Sequence, residues 1–276
     1  MKQFASISFL ILLFFFSCQP SKPENVNQAA EQADSSKDVK ALQSDTLRYH
    51  YDSVKVYNRN PLSRNKAITD TAKATFTYPV FADAKLNKVV EAAALTSDNP
   101  DDRAYNSYKD LANAFMKQFD DYHASNPANE QTWFKEVKIL VLPQTKDWLS
   151  LEYNFAEYVG GAHVNSAVIY RNYHLPDRKL LALQDVLLPG KLSELNKIAE
   201  RIFRENEGLP SSGSLEPAYF FDKGKFSLND NFYLGKDGLH FLYNAYEIKA
   251  FAYGRTKLVI PYSALQQVLK RNFLFS

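Results

Sequence analysis

The stretch at residues 158–166 constrains the fold most strongly, because two predicted strands meet there. Residues 148–155 alternate strictly between apolar and polar side chains, which is the pattern of a half-buried antiparallel strand. A second strand is predicted over residues 167–175. Between the two strands lie Gly160, Gly161 and His163. Because glycine tolerates backbone angles that other residues avoid, this stretch predicts a bend between paired strands.

The rest of the chain carries both helix and strand patterns. Strands are predicted over residues 48–57, 72–78, 133–142 and 257–260, and a hairpin over residues 226–246. Asp83 is predicted to cap a helix, and apolar residues recur at helical spacing after it, over residues 105–122 and over residues 192–203. The stripe over residues 105–122 is largely aromatic and is predicted to lie in the core. Ser263 and Gln266 form a capping box that predicts a terminal helix. We therefore predict an α+β fold, with antiparallel sheets packed against a few amphipathic helices.

The N-terminus has the features of an export signal. Residues 4–16 are nearly all apolar and follow Lys2, and the run is shorter than the roughly 20 residues that span a bilayer. It ends at Ser17 and Cys18, the only cysteine of the chain. This ending resembles a bacterial lipoprotein signal, in which the cysteine is lipidated after cleavage. An ordinary secretory signal with an incidental cysteine is the alternative, but the polar tract beginning at Gln19 favours lipidation of Cys18.

A polar tract follows the predicted signal peptide at residues 1–17. Residues 18–46 lack aromatic side chains and are too polar to form a packed core, so we predict a disordered tether reaching about 30 Å. Residues 47–130 are predicted to form an N-terminal α+β part, and residues 131–276 a C-terminal α+β domain. An aspartate directly after the lipidated cysteine resembles an inner-membrane retention signal, and this chain has Gln19 at that position. We therefore expect a cell-envelope lipoprotein of the outer membrane, facing the periplasm or the surface.

Composition and motifs disfavour several classes of function. The net charge is +2 and no block of Lys and Arg stands out, so we expect no nucleic-acid partner. The five histidines are dispersed, and no metal-binding, nucleotide-binding or serine-nucleophile motif is present. We therefore predict no metal, no cofactor and no assigned catalytic residue. An enzyme remains open but is less favoured than a binding protein.

Six segments, in order, resemble the domain of unknown function 3298 family. They are Tyr158-Val-Gly-Gly-Ala-His163, Leu183-x-Asp-Val-Leu187, Asn231-Phe-Tyr-Leu234, Gly238-Leu-His-Phe-Leu-Tyr243, Tyr246-Glu-Ile-x-x-Phe-Ala-Tyr-Gly254 and Val259-Ile-Pro-Tyr262. The resemblance implies an extracytoplasmic α+β domain, with a companion N-terminal part. The family includes the ectodomain of a lysozyme-sensing anti-sigma factor and accessory regions of peptidoglycan deacetylases.

The candidate ligand-binding residues come from two of these segments. They are Gly160, Gly161, His163, Tyr246, Glu247, Tyr253 and Gly254. In one interpretation the glycines bend a strand over the core and His163 is hydrogen-bonded inside. In the other, the bend presents His163 to a ligand. If sheet pairing brings Glu247 to His163, the pair would perform acid–base chemistry or serve as a buried structural pair.

These observations together favour an envelope binding protein. By resemblance, lysozyme-like proteins and peptidoglycan glycans are the expected ligands, and exposed aromatic side chains would bind them. One alternative is an envelope enzyme that acts on cell-wall glycans through His163 and Glu247. Another is a purely structural lipoprotein.

Overall fold

The computed structural model describes residues 47–58, 71–95, 105–129 and 131–274, all of which lie in one compact unit. The predicted signal peptide, Cys18 and the predicted tether lie outside the described residues. Among the described helices, none combines the length and the apolar character needed to cross a membrane.

The larger sheet of the described residues has six strands in the order of the chain. Its strands are β1 (Tyr49–Tyr57), β2 (Lys73–Phe81), β3 (Phe134–Gln144), β4 (Trp148–Tyr158), β5 (Asn165–His174) and β6 (Lys179–Leu181). β2 and β3 are parallel, and the other neighbouring pairs are antiparallel. The sheet joins strands on both sides of the predicted division between residues 130 and 131.

The smaller sheet of the described residues is antiparallel and has three strands. They are β7 (Phe232–Leu234), β8 (Gly238–Tyr243) and β9 (Thr256–Pro261), and the helices are α1 (Ala84–Leu95), α2 (Tyr108–Ser125), α3 (Leu183–Val186), α4 (Leu192–Asn206) and α5 (Tyr262–Leu265). The combination of two largely antiparallel sheets with helices confirms the predicted α+β class.

One core lies between the larger sheet and helices α1 and α2. Asp83 caps α1 as predicted, because its carboxylate accepts hydrogen bonds from the backbone N–H groups of Lys85 and Leu86. Most of the predicted aromatic stripe of α2 is core, since Phe115 and Phe119 are each 1% exposed, whereas Tyr122 at its end is 38% exposed. Another core fills the space around the smaller sheet, with buried side chains from α4, β8, β9 and α5.

Two prolines lie inside strands rather than at their predicted ends. β2 continues through Pro79 because its pairing with β3 stops at Thr77, so β3 needs no N–H donor from Pro79, while the pairing of β2 with β1 continues to Phe81. Tyr51 of β1, which pairs with Pro79, reaches across to β3, where its hydroxyl accepts a hydrogen bond from the backbone N–H of Val141, 3.2 Å away. β3 continues through Pro143 because the β3–β4 register shifts between Val141 and Gln144.

The predicted capping box at the C-terminus is wrong. Ser263 lies inside α5, which begins at Tyr262 after Pro261 and has no side-chain cap. The side chain of Gln266 instead donates to the backbone carbonyl of Tyr262 at 3.0 Å. The chain leaves β9 directly into this short helix, so the first helical residue is set by the strand that precedes it.

Candidate functional site

Two asparagines join the smaller sheet to the edge of β5. The first half of β5 pairs with β4 alone, because β6 begins its pairing at Asn172. Asn231 accepts from the backbone N–H of Tyr170 at 2.7 Å and donates to the carbonyl of Val168 at 2.9 Å. Asn244 bonds both backbone groups of Val168, at 2.8 and 3.0 Å. These side chains replace a neighbouring strand and hold both the residue before β7 and the segment after β8 against β5.

The bend after β4 meets the segment at residues 246–254 through aromatic rings. The ring of His163 stacks on Phe251 with centroids 4.4 Å apart and an interplanar angle of 17°. The ring of Tyr246 contacts both, with its centroid 5.2 Å from that of Phe251 and 6.4 Å from that of His163, so the three rings form a triangle. Tyr253 belongs to the same 3₁₀ turn as Phe251. The structure therefore brings together the two segments that the sequence singled out.

These rings lie at the protein surface. Tyr253 is 74% exposed, Tyr246 58% and Phe251 38%, and His163 is also exposed. We call His163, Tyr246, Phe251 and Tyr253 the aromatic surface. Because apolar rings normally pack inside, a group of exposed ones is typical of a site that binds a sugar or a protein. The interpretation that places His163 inside the core is wrong.

Unusual backbone angles hold this surface in place. Tyr246 has a φ of 68°, in the left-handed region that non-glycine residues rarely adopt. Gly254 ends the 3₁₀ turn at Phe251–Tyr253 with φ 65° and ψ −151°, a combination that only glycine adopts readily. At the opposite bend, Gly160 has a φ of 96°, and a Cβ there would lie 2.9 Å from Oε1 of Gln131. Gly161 has a φ of 105°.

The predicted pair of His163 and Glu247 is not formed among the described residues. Both carboxylate oxygens of Glu247 are hydrogen-bonded within its own sheet region, to the Asn229 side chain at 2.6 Å and to the backbone N–H of Asn244 at 2.7 Å. The Nδ1 atom of His163 lies 3.3 Å from the backbone carbonyl oxygen of Val164. Glu247 therefore shapes the turn that carries Tyr246, whereas His163 contacts that region through its ring.

An ion pair anchors the same segment to the end of α4. Lys249 Nζ lies 2.8 Å from a carboxylate oxygen of Glu207, which also accepts a 2.6 Å hydrogen bond from the Tyr219 hydroxyl. Burial by itself would raise the pKa of Glu207, but the hydrogen bonds from Lys249 and Tyr219 bring that pKa below its ordinary value. The charged form is therefore favoured, and the segment is held from one side by this pair.

Within the part of the chain that the structure describes, no three His, Cys, Asp or Glu side chains form a group able to hold a metal ion. The site is thus built from rings, glycines and hydrogen-bonded turns. Sequence reasoning missed Phe251, Asn231 and Asn244 as site residues. All of them lie in or directly beside the segments that carried the family resemblance, and that position was the available signal.

Comparison with protein families covers most of the described chain. Residues 184–263 match the family described as "Protein of unknown function (DUF3298)", and residues 65–166 match the family described as "Deacetylase PdaC". The predicted resemblance to the DUF3298 family is therefore confirmed over residues 184–263. The segment with Gly160, Gly161 and His163 falls in the PdaC match, not in the DUF3298 match to which we had assigned it. The aromatic surface is consequently built from both regions.

Solved structures share the fold across nearly their whole length. A DUF3298 family member from Bacteroides fragilis NCTC 9343 has a TM-score of 0.65 and 24% identity, covering 83% of this chain and 96% of its own. A DUF3298 family protein from Pseudomonas aeruginosa PAO1 has a TM-score of 0.66 and 21% identity, covering 83% of this chain and 97% of its own. At these identities the likeness shows the fold alone. No curated protein matches this chain.

Proposed function

We propose that this chain is a cell-wall-related binding module of the bacterial envelope, and that the aromatic surface is its ligand-binding site. The observation that carries the proposal is the exposed group of rings, formed where the two family regions meet. Tyr246 is kept there despite a strained backbone and 58% exposure. A residue held in that way is a better candidate for recognition than for stability.

Peptidoglycan is the ligand that we propose first. Sugar rings present flat apolar faces that pack on aromatic rings, and Tyr246 and Tyr253 offer such rings at the surface. The match to a family described as a deacetylase points in the same direction. A lysozyme-like protein is the second ligand to test, because exposed tyrosine and phenylalanine also anchor protein interfaces.

The geometry favours binding over acid–base catalysis. The acid–base pair that the sequence suggested requires Glu247 to hydrogen-bond His163, but Glu247 is bonded to Asn229 and Asn244 instead. The envelope enzyme that would use His163 and Glu247 therefore lacks its pair in the described residues. We do not propose catalysis for this site.

Membrane attachment completes the proposal. We propose that Cys18 carries a lipid, that residues 18–46 serve as a tether, and that the protein faces the periplasm or the surface from the outer membrane. The support is the apolar run ending at Ser17 and Cys18 and the polar tract behind it. The lipid would keep the binding module close to the cell wall.

Sedimentation of the purified protein with insoluble peptidoglycan tests the binding site. The double variant Tyr246→Ala/Tyr253→Ala should bind about tenfold more weakly, because it removes two exposed ring contacts. Tyr57→Ala is the matched control, since it removes a tyrosine that is 52% exposed on β1, outside the aromatic surface. Unchanged binding by the double variant would show that peptidoglycan does not bind at the aromatic surface. If the unaltered protein binds neither peptidoglycan nor lysozyme, the proposed function is wrong.

A further inference from the structure

An arginine lies directly beside the aromatic surface. Arg255 follows Gly254 at the start of the segment that becomes β9, and it is exposed. Its Nη2 atom donates to the hydroxyl of Ser166 at 3.1 Å. Ser166 is on β5, close in sequence to His163, so this hydrogen bond links the same two segments that build the aromatic surface. Within the described ranges, Arg255 makes no ion pair.

The positive charge of Arg255 influences Tyr170, which lies on the same side of β5 as Ser166. Burial raises the pKa of Tyr170 to about 12, with Glu152 and Tyr233 adding to the increase and the positive charge of Arg255 opposing it. Tyr170 and Ser166 point to the same side of β5, because side chains alternate along a strand. The guanidinium therefore lies over this side of β5, next to the bend that carries His163.

A guanidinium in this setting is suited to a carboxylate. It carries five N–H donors in a planar fork, and the described contacts of Arg255 use only the hydrogen bond to Ser166. The carboxylate of Glu247, in the segment that precedes Arg255, is bonded to Asn229 and Asn244. The fork of Arg255 thus remains available for the two oxygens of a ligand carboxylate, which it would bind in bidentate geometry.

We infer that Arg255 and the aromatic surface form one site for an acidic glycan, in which sugar rings pack on Tyr246 and Tyr253 and a carboxylate pairs with Arg255. This inference rests on the proposed binding function and adds the charge that the ligand must carry. A neutral glycan would use the rings but would leave the guanidinium without its partner. The site should therefore prefer acidic over neutral chains of the same sugars.

Two glycans test this preference in calorimetry with the purified protein. One is a set of soluble peptidoglycan strands freed of their peptides, whose lactyl groups end in carboxylates. The other is chitohexaose, which shares the N-acetylglucosamine units but carries no carboxylate. We expect Arg255→Gln to weaken binding of the acidic strands about tenfold, the order expected for losing a charge-assisted pair, and to leave chitohexaose binding unchanged. The affinity of Arg255→Lys for the acidic strands should lie between those of the unaltered protein and of Arg255→Gln, because lysine keeps the charge but not the planar fork of donors.

Arg201→Gln is the matched control, because it removes the same charge from an exposed arginine on α4. The preference for acidic strands should also decrease as salt is added. Equal binding of the two glycans by the unaltered protein, or equal weakening of both by Arg255→Gln, would overturn the inference while leaving a binding function intact. Binding of lysozyme with no binding of either glycan would overturn it as well. Absence of all binding would contradict the proposed function itself.

Discussion

Tyr246 shows at the scale of one residue how the site departs from ordinary folding rules. Its backbone has a φ of 68°, where the side chain of an L-residue crowds its own backbone. The turn is enforced from both sides, because the backbone N–H of Glu247 donates to the carbonyl of Asn244 and the Glu247 carboxylate accepts from the N–H of Asn244. The neighbouring structure therefore maintains a conformation that a tyrosine alone would avoid.

We predict that Tyr246→Gly is more stable than Tyr246→Ala by about 1 kcal/mol, because only glycine relieves the left-handed strain. Both variants lose the ring, so both should lose ligand binding to the same extent. The free energies of unfolding from guanidinium titrations, together with the sedimentation assay, check the two parts. Tyr253 provides the control, since its φ is not positive and Tyr253→Gly should be no more stable than Tyr253→Ala. Equal stabilities of the two Tyr246 variants would show that the left-handed backbone at residue 246 costs no measurable stability.

At the scale of elements, the decisive contact is the one that joins the smaller sheet to β5. A strand edge with unpaired backbone groups normally needs another strand, and here Asn231 and Asn244 supply the missing partners. A side-chain amide can do this because it carries a donor and an acceptor, like a peptide group. The position of residues 246–254 next to the bend after β4 depends on this joint.

Asn231→Asp should destabilise the protein by about 1–3 kcal/mol, because a carboxylate oxygen would replace the N–H donor that faces the carbonyl oxygens of Val168 and Leu242. Asn231→Ala should have an effect of similar size, since it leaves the backbone N–H of Tyr170 without its acceptor. Chemical denaturation measures both. Asn154→Ala is the control. Its side chain makes a long 3.4 Å contact with the Lys138 carbonyl and a 2.8 Å hydrogen bond to the partly exposed carboxylate of Glu152, which water can replace, so its loss should cost less than about 0.5 kcal/mol. An Asn231 variant as stable as this control would show that the joint is held by other contacts.

At the scale of the whole molecule, the described chain begins at a fixed point on the larger sheet. Both backbone groups of Leu47 bond the side chain of Gln144, at 3.1 and 3.2 Å, so the first described residue is tied to the end of β3. Residues 18–46, the predicted tether, precede this point and lie outside the described residues. If Cys18 is lipidated, the lipid and the binding module are connected through Leu47.

We predict that Cys18→Ala moves the protein from the membrane fraction to the soluble fraction, because a cysteine that is absent cannot carry the lipid. Cell fractionation followed by immunoblotting measures the distribution. Ser17→Ala is the control, since a small residue before the cysteine should preserve processing and membrane attachment. Membrane association that persists in Cys18→Ala would exclude lipidation as the anchor.

Local patterns in the sequence predicted the elements well where a short segment decides its own structure. The alternation over residues 148–155 predicted β4, and Asp83 predicted the start of α1, because strand period and helix capping depend on neighbouring residues. Pro79 and Ser263 misled the same reasoning. What surrounds a proline or a serine in space, such as a neighbouring strand that ends, cannot be seen in a short window.

The sequence alone also indicated which segments matter, since His163 and the segment at residues 246–254 were both singled out. Only the tertiary structure decided how they meet. It placed Phe251 on His163, turned Glu247 toward Asn229 and Asn244, and left Tyr246 and Tyr253 exposed. The reason is that a ring stack or a side-chain hydrogen bond between distant segments depends on the relative position of two sheets. Many packed contacts set that position together, and no local pattern encodes it.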